Sequence, residues 1–394
     1  MNNSGLKKVH PNGLAARVFL SFLTTAGLFY VNIMPALVNG LIEALGFSNR
    51  EAGIVGSANV YGAACGALVI VFLIHQLRWK TVAYRLLLVL ISLDLISVSL
   101  QTPESLTIMR FVHGFVGGML VGIGFAICAR TVNADRTFGM LLFVQFGLGG
   151  VGVMTLPLLV PIFGIGVLFL TLVAFSLVTL LMLPFLPEYT IEQPEQNEDD
   201  RNAVSIRPPT KLLVLTFIGI FLFQAANMGL YAYIIGLAKF YGLDMAFISP
   251  TLGIAAWVGM AGALLVIVMS TRYGRLVPIC VGMVLTLLGT WALYYSDIKT
   301  IFFLANCGVG ITWAFVLPYL FGMCSEFDSR GRMAALGGFV SKMGLASGPL
   351  AAAFLLGSNN YELIIDVALV ALVVGLIASI LPSAVLDRET PDTT

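Results

Sequence analysis

The sequence predicts an all-α membrane protein with twelve transmembrane helices, arranged as two pseudo-symmetric six-helix bundles. Three observations lead there. Hydrophobic residues make up 59% of the 394-residue chain and charged residues 10%, against about 45–50% and about 25% in soluble domains, too few to clothe a water-facing surface. The apolar residues gather in twelve runs, each about long enough to cross a hydrocarbon core of ~30 Å as a helix; strands of a β-barrel would instead alternate over about ten residues. One polar stretch, Pro187–Thr210, divides the runs six and six.

The spans lie near 13–45, 51–75, 83–101, 106–129, 138–161 and 164–186, then 211–239, 247–270, 277–296, 300–324, 331–356 and 360–386. The first is too long for a signal peptide and has no small-residue cleavage site after its apolar core, so it is kept as a helix. The loops after it carry the orientation. Of 21 Lys and Arg, only Arg50, Lys239 and Lys299 fall on the outer side when the N-terminus is inside. Arg110 and Lys342 fall within the membrane, which leaves sixteen on the cytoplasmic side, a strong positive-inside bias. An odd span count would scramble that bias. The chain is therefore expected to fold as residues 1–186, a cytoplasmic linker over 187–210 and residues 211–394. The linker mixes Pro with acidic and amide side chains and has little to bury, as a flexible tether does. The five cysteines stand singly in apolar runs, with neither zinc nor disulfide spacing.

Internal repetition relates the halves. The run from Gly66 in the second span aligns without gaps to the run from Gly262 in the eighth. Phe19-Leu20 followed by Gly27 in the first span has the spacing of Phe221-Leu222 followed by Gly229 in the seventh. Matches at corresponding places argue for duplication.

Ionisable groups inside the membrane carry the functional reading, because a mid-bilayer charge costs at least ~2.5–3.5 kcal/mol and is seldom kept idle. Asp94 lies in the third span, Arg110 and His113 in the fourth. Counted from the outer ends at about 1.5 Å per residue, they share a depth and could touch. They read either as a structural ion pair or as a proton site, with His113, whose imidazole ordinarily titrates near about pH 6.5, the easiest to move. Lys342 lies near the middle of the eleventh span. The nearest acid, Asp366, is offset by roughly 12 Å along straight helices. Such a lysine has two states of similar cost: neutral when alone, or protonated beside an anion.

Several motifs surround these groups. Arg110 opens a glycine face in which Gly114, Gly118 and Gly122 recur every fourth residue, allowing close approach of a neighbouring helix. The fifth span has clustered glycines without a Gly-Pro; the eleventh has Gly344-x-x-x-Gly348-Pro349. The second and eighth spans exit through cationic loops, His75-Gln-Leu-Arg78-Trp-Lys80 and Thr271-Arg272-Tyr-Gly274-Arg275.

These features resemble the major facilitator superfamily over nearly the whole chain. The second loop matches that family's Asp-Arg-x-Gly-Arg signature with Thr271 in place of the acid, the first is a worn copy that also lacks the acid and keeps only its cationic character, and the Arg110 segment matches the family's fourth-helix signature. The resemblance implies alternating access, with Arg78, Arg272, Gly274 and Arg275 as gating-loop residues. It also implies a path lined by the first, fourth, seventh and tenth spans. These offer Tyr30, Asn32, Arg110, His113, Gln224, Asn227, Tyr231, Asn306 and Trp313 for substrate, beside Gln145 and Lys342 at equivalent places in the fifth and eleventh. Asp94 and His113 are the candidates for proton coupling.

The function expected is a proton-coupled symporter that imports a small organic anion such as a carboxylate; the missing antiporter Gly-Pro in the fifth span leans toward symport. A proton-coupled exporter of drugs or metabolites and a neutral sugar carrier are the alternatives. An enzyme or sensor would need a catalytic constellation, and neither a nucleotide-binding loop nor a metal cluster is visible. The expected partners are a small anionic solute, protons and the lipid bilayer. No nucleic acid, cofactor or metal is expected, and the protein is expected to act as a monomer in the inner membrane with both termini cytoplasmic.

Overall fold

The structure, a computed structural model, describes residues 7–189, 210–269, 272–327, 332–357 and 359–389. Most of the expected linker and Thr271 of the second cationic loop lie outside the described residues. Fourteen α-helices are described: α1 (Leu14–Ala26), α2 (Phe29–Asn32), α3 (Met34–Leu45), α4 (Asn49–Leu73), α5 (Trp79–Val98), α6 (Pro103–Cys128), α7 (Ala134–Phe163), α8 (Gly166–Met182), α9 (Thr210–Phe240), α10 (Met245–Met269), α11 (Leu276–Ala292), α12 (Lys299–Glu326), α13 (Arg332–Leu355) and α14 (Tyr361–Glu389). Eleven of them are long and apolar enough to cross a membrane.

The first span departs from the continuous helix expected, being built from α1, α2 and α3. Its breaks have local causes. At Gly27 the chain presses so closely on α6 that a Cβ would run into the Gly117 carbonyl, and Pro35, in the first turn of α3, has no N–H to give to the preceding turn. Gly46 then closes α3 with φ +69°, its N–H reaching Ile42 O at 3.1 Å while Phe47 N–H reaches Leu41 O at 3.3 Å, a left-handed cap open to glycine. Large apolar side chains such as Val268 (80% exposed) and Phe72 (71%) point outward, as they do where the solvent is lipid rather than water.

The chain divides into two compact units, Met1–Phe47 with Ala58–Pro194, and Ser48–Ser57 with Glu195–Thr394. The ten residues Ser48–Ser57, at the start of α4, thus group with the later part of the chain, where the Tyr233 hydroxyl donates to the Asn49 carbonyl at 2.6 Å. The remainder of α4 belongs to the first unit.

Within the first unit the glycine face of α6 brings α4 close. A Cβ at Gly114 would strike the backbone of Asn59, one at Gly118 the backbone of Ala63, and one at Gly122 the Ile70 side chain. The repeat seen in the sequence has a packing counterpart: Gly66 of α4 lies against the backbone of Phe115 in α6, and Gly262 of α10 against Ile311 and Phe315 in α12. The other repeated glycines differ in partner, since Gly27 meets Gly117 and Gly229 meets Gly348 of α13.

Close packing at Gly118 sets a stability test. Gly118→Ala adds a methyl against backbone and is expected to cost about 1–3 kcal/mol, lowering the thermal unfolding midpoint of the purified protein. Gly139→Ala, where a Cβ meets nothing within 4 Å, should leave the midpoint unchanged or raised. Equal behaviour of the two variants would contradict this packing.

Candidate functional site

Among the described residues, a buried polar cluster joins several helices within each unit. In the first, α5 supplies Asp94 and Ser97 at i and i+3, hence on one face, and α6 supplies Arg110 and His113 with the same spacing. Asp94 and Arg110 are both 0% exposed. Arg110 Nη1 donates to Asp94 Oδ1 at 2.7 Å, Nη2 donates to Ser97 Oγ, and His113 Nε2 stands 3.2 Å from Asp94 Oδ2. The depth counted from the sequence is met: the three residues form one network. Aromatic rings close it, with Arg110 Cζ 4.9 Å from the Phe169 centroid and 5.9 Å from that of Tyr30.

Asn59 of α4 completes the cluster. Its Nδ2 lies 2.8 Å from His113 Nδ1 and 3.2 Å from the Arg110 carbonyl oxygen, a reach that exists because Gly114 admits the Asn59 backbone. Asn59 and Ser97 escaped the sequence reading. Ser97 had a signal in its spacing from Asp94; Asn59 had only its polarity within an apolar run. Arg110 was expected to hold a solute's charge, yet its own charge is already met by Asp94. Tyr30 is 2% exposed, and its hydroxyl has no hydrogen-bond partner among the described residues.

Two hydrogen bonds tie α2 to α7: Asn32 Nδ2 donates to the Gln145 backbone carbonyl at 3.0 Å, and Gln145 Nε2 donates to Asn32 Oδ1 at 3.1 Å.

The second unit's cluster centres on Gln224 of α9. Its Oε1 accepts from Trp313 Nε1 of α12 at 2.6 Å, and its Nε2 donates to Ser341 Oγ of α13 at 2.6 Å. Gly344 and Gly348 permit this, since a Cβ at either would strike α9 at Phe221 or Ala225. Gln224 thus holds Trp313 in place, and Tyr231 meets that ring edge-on at 6.1 Å between centroids. Asn227 spends its Nδ2 on the Phe223 carbonyl at 2.8 Å, leaving its buried Oδ1 without a partner among the described residues. Asn306 likewise bonds back to Phe302 O at 2.8 Å.

Lys342 follows Ser341 on α13. It is partly buried and makes neither a hydrogen bond nor an ion pair among the described residues. Asp366 accepts from the Tyr294 hydroxyl at 2.5 Å, so the acid offered by the sequence as a partner is occupied elsewhere.

The cationic loops differ from one another. Arg275 Nη2 pairs with Glu326 at 2.6 Å, while Asp387 takes the backbone N–H groups of Arg275 and Leu276 at 2.8–3.0 Å. Gly274, at φ +67°, brings the chain against that carboxylate. Acids distant in sequence therefore anchor a loop that lacks its own. Arg272 is exposed, and so is Arg78, at the start of α5 where no side chain caps the helix.

Comparison with known proteins agrees with this architecture. A family model described as the Major Facilitator Superfamily matches residues 18–338. A solved structure of a mutant of the nucleoside transporter NupG superposes with a TM-score of 0.71 at 16% identity, covering 94% of this chain and 99% of that one. Comparison with curated proteins gives no match.

The buried ion pair predicts a stability asymmetry. Asp94→Asn leaves the Arg110 charge unmatched in the interior and should cost about 3–5 kcal/mol. Adding Arg110→Gln should recover part of that loss. Chemical denaturation of the purified single and double variants reads both; an Asp94→Asn protein as stable as wild type would contradict the pairing.

Proposed function

The chain belongs to the major facilitator superfamily, and we propose that it carries a small organic anion, such as a monocarboxylate, into the cell together with a proton. The observation that supports this reading is Lys342. An ammonium within a membrane helix is costly to keep, and this one has no acid against it among the described residues. An arriving anion supplies the missing charge. A charge-assisted hydrogen bond of that kind contributes about 1.5–3 kcal/mol, or roughly ten- to a hundredfold in affinity.

Trp313, held by Gln224, and the Asn227 Oδ1, unpaired among the described residues, are suited to orient the uncharged part of the solute. Residues 1–186 and 211–394 would act as the two moving halves, and His113, facing Asp94, would take the coupling proton. Both termini and the linker would face the cytoplasm of a bacterial inner membrane.

A second reading rests on the likeness to a nucleoside transporter. The indole and amide groups near Gln224 also suit a neutral, hydrogen-bonding solute, with Lys342 then a bystander.

Uptake into proteoliposomes separates the two. Lys342→Gln is expected to lower uptake of a carboxylate at least tenfold with an unchanged elution profile, and Lys342→Arg to retain part of it. Wild-type carboxylate uptake by Lys342→Gln removes the lysine from the site. Nucleoside or sugar uptake that is indifferent to Lys342→Gln selects the neutral solute.

A further inference from the structure

We propose that Asn59 decides where a proton can sit on His113, and that it passes a change in that proton to α4, the helix whose residues are divided between the two compact units. The assignment rests on hydrogen-bond logic. The side-chain group of Asn59 that faces His113 also lies 3.2 Å from the Arg110 backbone oxygen. A carbonyl oxygen only accepts, so the group in that place is the amide NH2. The same NH2 stands 2.8 Å from His113 Nδ1, which must then offer its lone pair. The ring proton is consequently on Nε2, opposite Asp94 Oδ2 at 3.2 Å, a carboxylate that accepts it. Both edges of the imidazole are specified: it is neutral and carries its hydrogen toward Asp94.

A second proton on Nδ1 would meet the Asn59 NH2 head-on. A half-turn of the amide relieves the clash by presenting Oδ1 to the new N–H. The same half-turn sets that oxygen against the Arg110 carbonyl, two acceptors face to face. There is no slack to absorb this, because Gly114 lets the Asn59 backbone rest directly on α6.

Protonation of the ring therefore loosens α4 from α6 at Asn59, two residues beyond Ser57, the last residue of α4 that groups with the other unit. The charged and titratable groups facing His113 are Asp94 from α5, Arg110 from α6 and Tyr30 from α2. Asp94 is already matched by Arg110, so an added proton leaves the cluster with a net positive charge. Asn59 is a positioning residue: it touches neither solute nor the proton on Nε2, but it sets the condition for the next one. The tautomer assignment stands on geometry alone; the link to transport rests on the reading of His113 given above.

The test is nitrogen-15 NMR of histidine-labelled full-length protein in nanodiscs. The chain has three histidines, and a His113→Gln sample identifies the signal. The wild type at alkaline pH is expected to show His113 as the Nε2–H tautomer. Asn59→Asp, which places a carboxylate at Nδ1, is expected to raise the ring's titration midpoint by at least about one pH unit, a tenfold gain in proton affinity. An Nδ1–H tautomer in the wild type overturns the proposal without any variant. So does an unmoved midpoint in an Asn59→Asp protein that elutes as wild type.

Carboxylate uptake across pH then tests the link to α4. A matching shift of the uptake profile in Asn59→Asp supports it, and a shifted ring with an unshifted profile overturns that link. A wild-type pH profile in His113→Gln would instead strike the proton-coupled reading of the whole carrier.

Discussion

The ion pair between Asp94 and Arg110 is the constraint around which the first unit is arranged. Two opposite charges lie 2.7 Å apart with neither side chain exposed. Removing them from water costs several kcal/mol each, and their attraction offsets this only when the remaining donors and acceptors are also met. Ser97 and His113 meet most of them, and Asn59 meets His113 in turn. The glycines of α6 follow from the same need, since without a bare backbone at Gly114 the amide of Asn59 would stand too far away. Electrostatics inside lipid thus dictates helix packing here, through one asparagine.

The second unit resolves its charge differently. Gln224 holds Trp313 and Ser341, while Glu326 and Asp387 go to the loop at Arg275 and Asp366 to Tyr294. Lys342 remains without a counter-charge among the described residues. One half therefore contains an internally neutral polar network and the other an open positive charge. In a carrier these are complementary tasks. On the proposed function, the neutral network would change state with a single proton and the open charge would wait for a solute to complete it.

Much of this was legible because helix geometry is regular. Counting 1.5 Å per residue from the span ends placed Asp94, Arg110 and His113 at one depth, and the four-residue recurrence of Gly114, Gly118 and Gly122 announced a close neighbour. What stayed hidden depends on which faces meet. Asn59 is one polar residue in an apolar run, and only the packing of α4 on α6 gives it partners. Asp387 reaches Arg275 across 112 positions, a pairing no local pattern encodes. The breaks in the first span lay within reach: Gly27 and Pro35 are residue types that interrupt helices, and the overall apolarity of the run masked them. For Arg110, depth alone cannot distinguish a charge that is satisfied from one that is available, and only the packing of α5 against α6 shows it paired with Asp94.

The most direct measurement is a structure of the protein with a transported carboxylate bound. The carboxylate oxygen is expected about 2.7–2.9 Å from Lys342 Nζ, the distance of a charge-assisted hydrogen bond, with the rest of the solute against Trp313. A solute held elsewhere, with the Lys342 ammonium taken up by a protein carboxylate or directed into lipid, would contradict it.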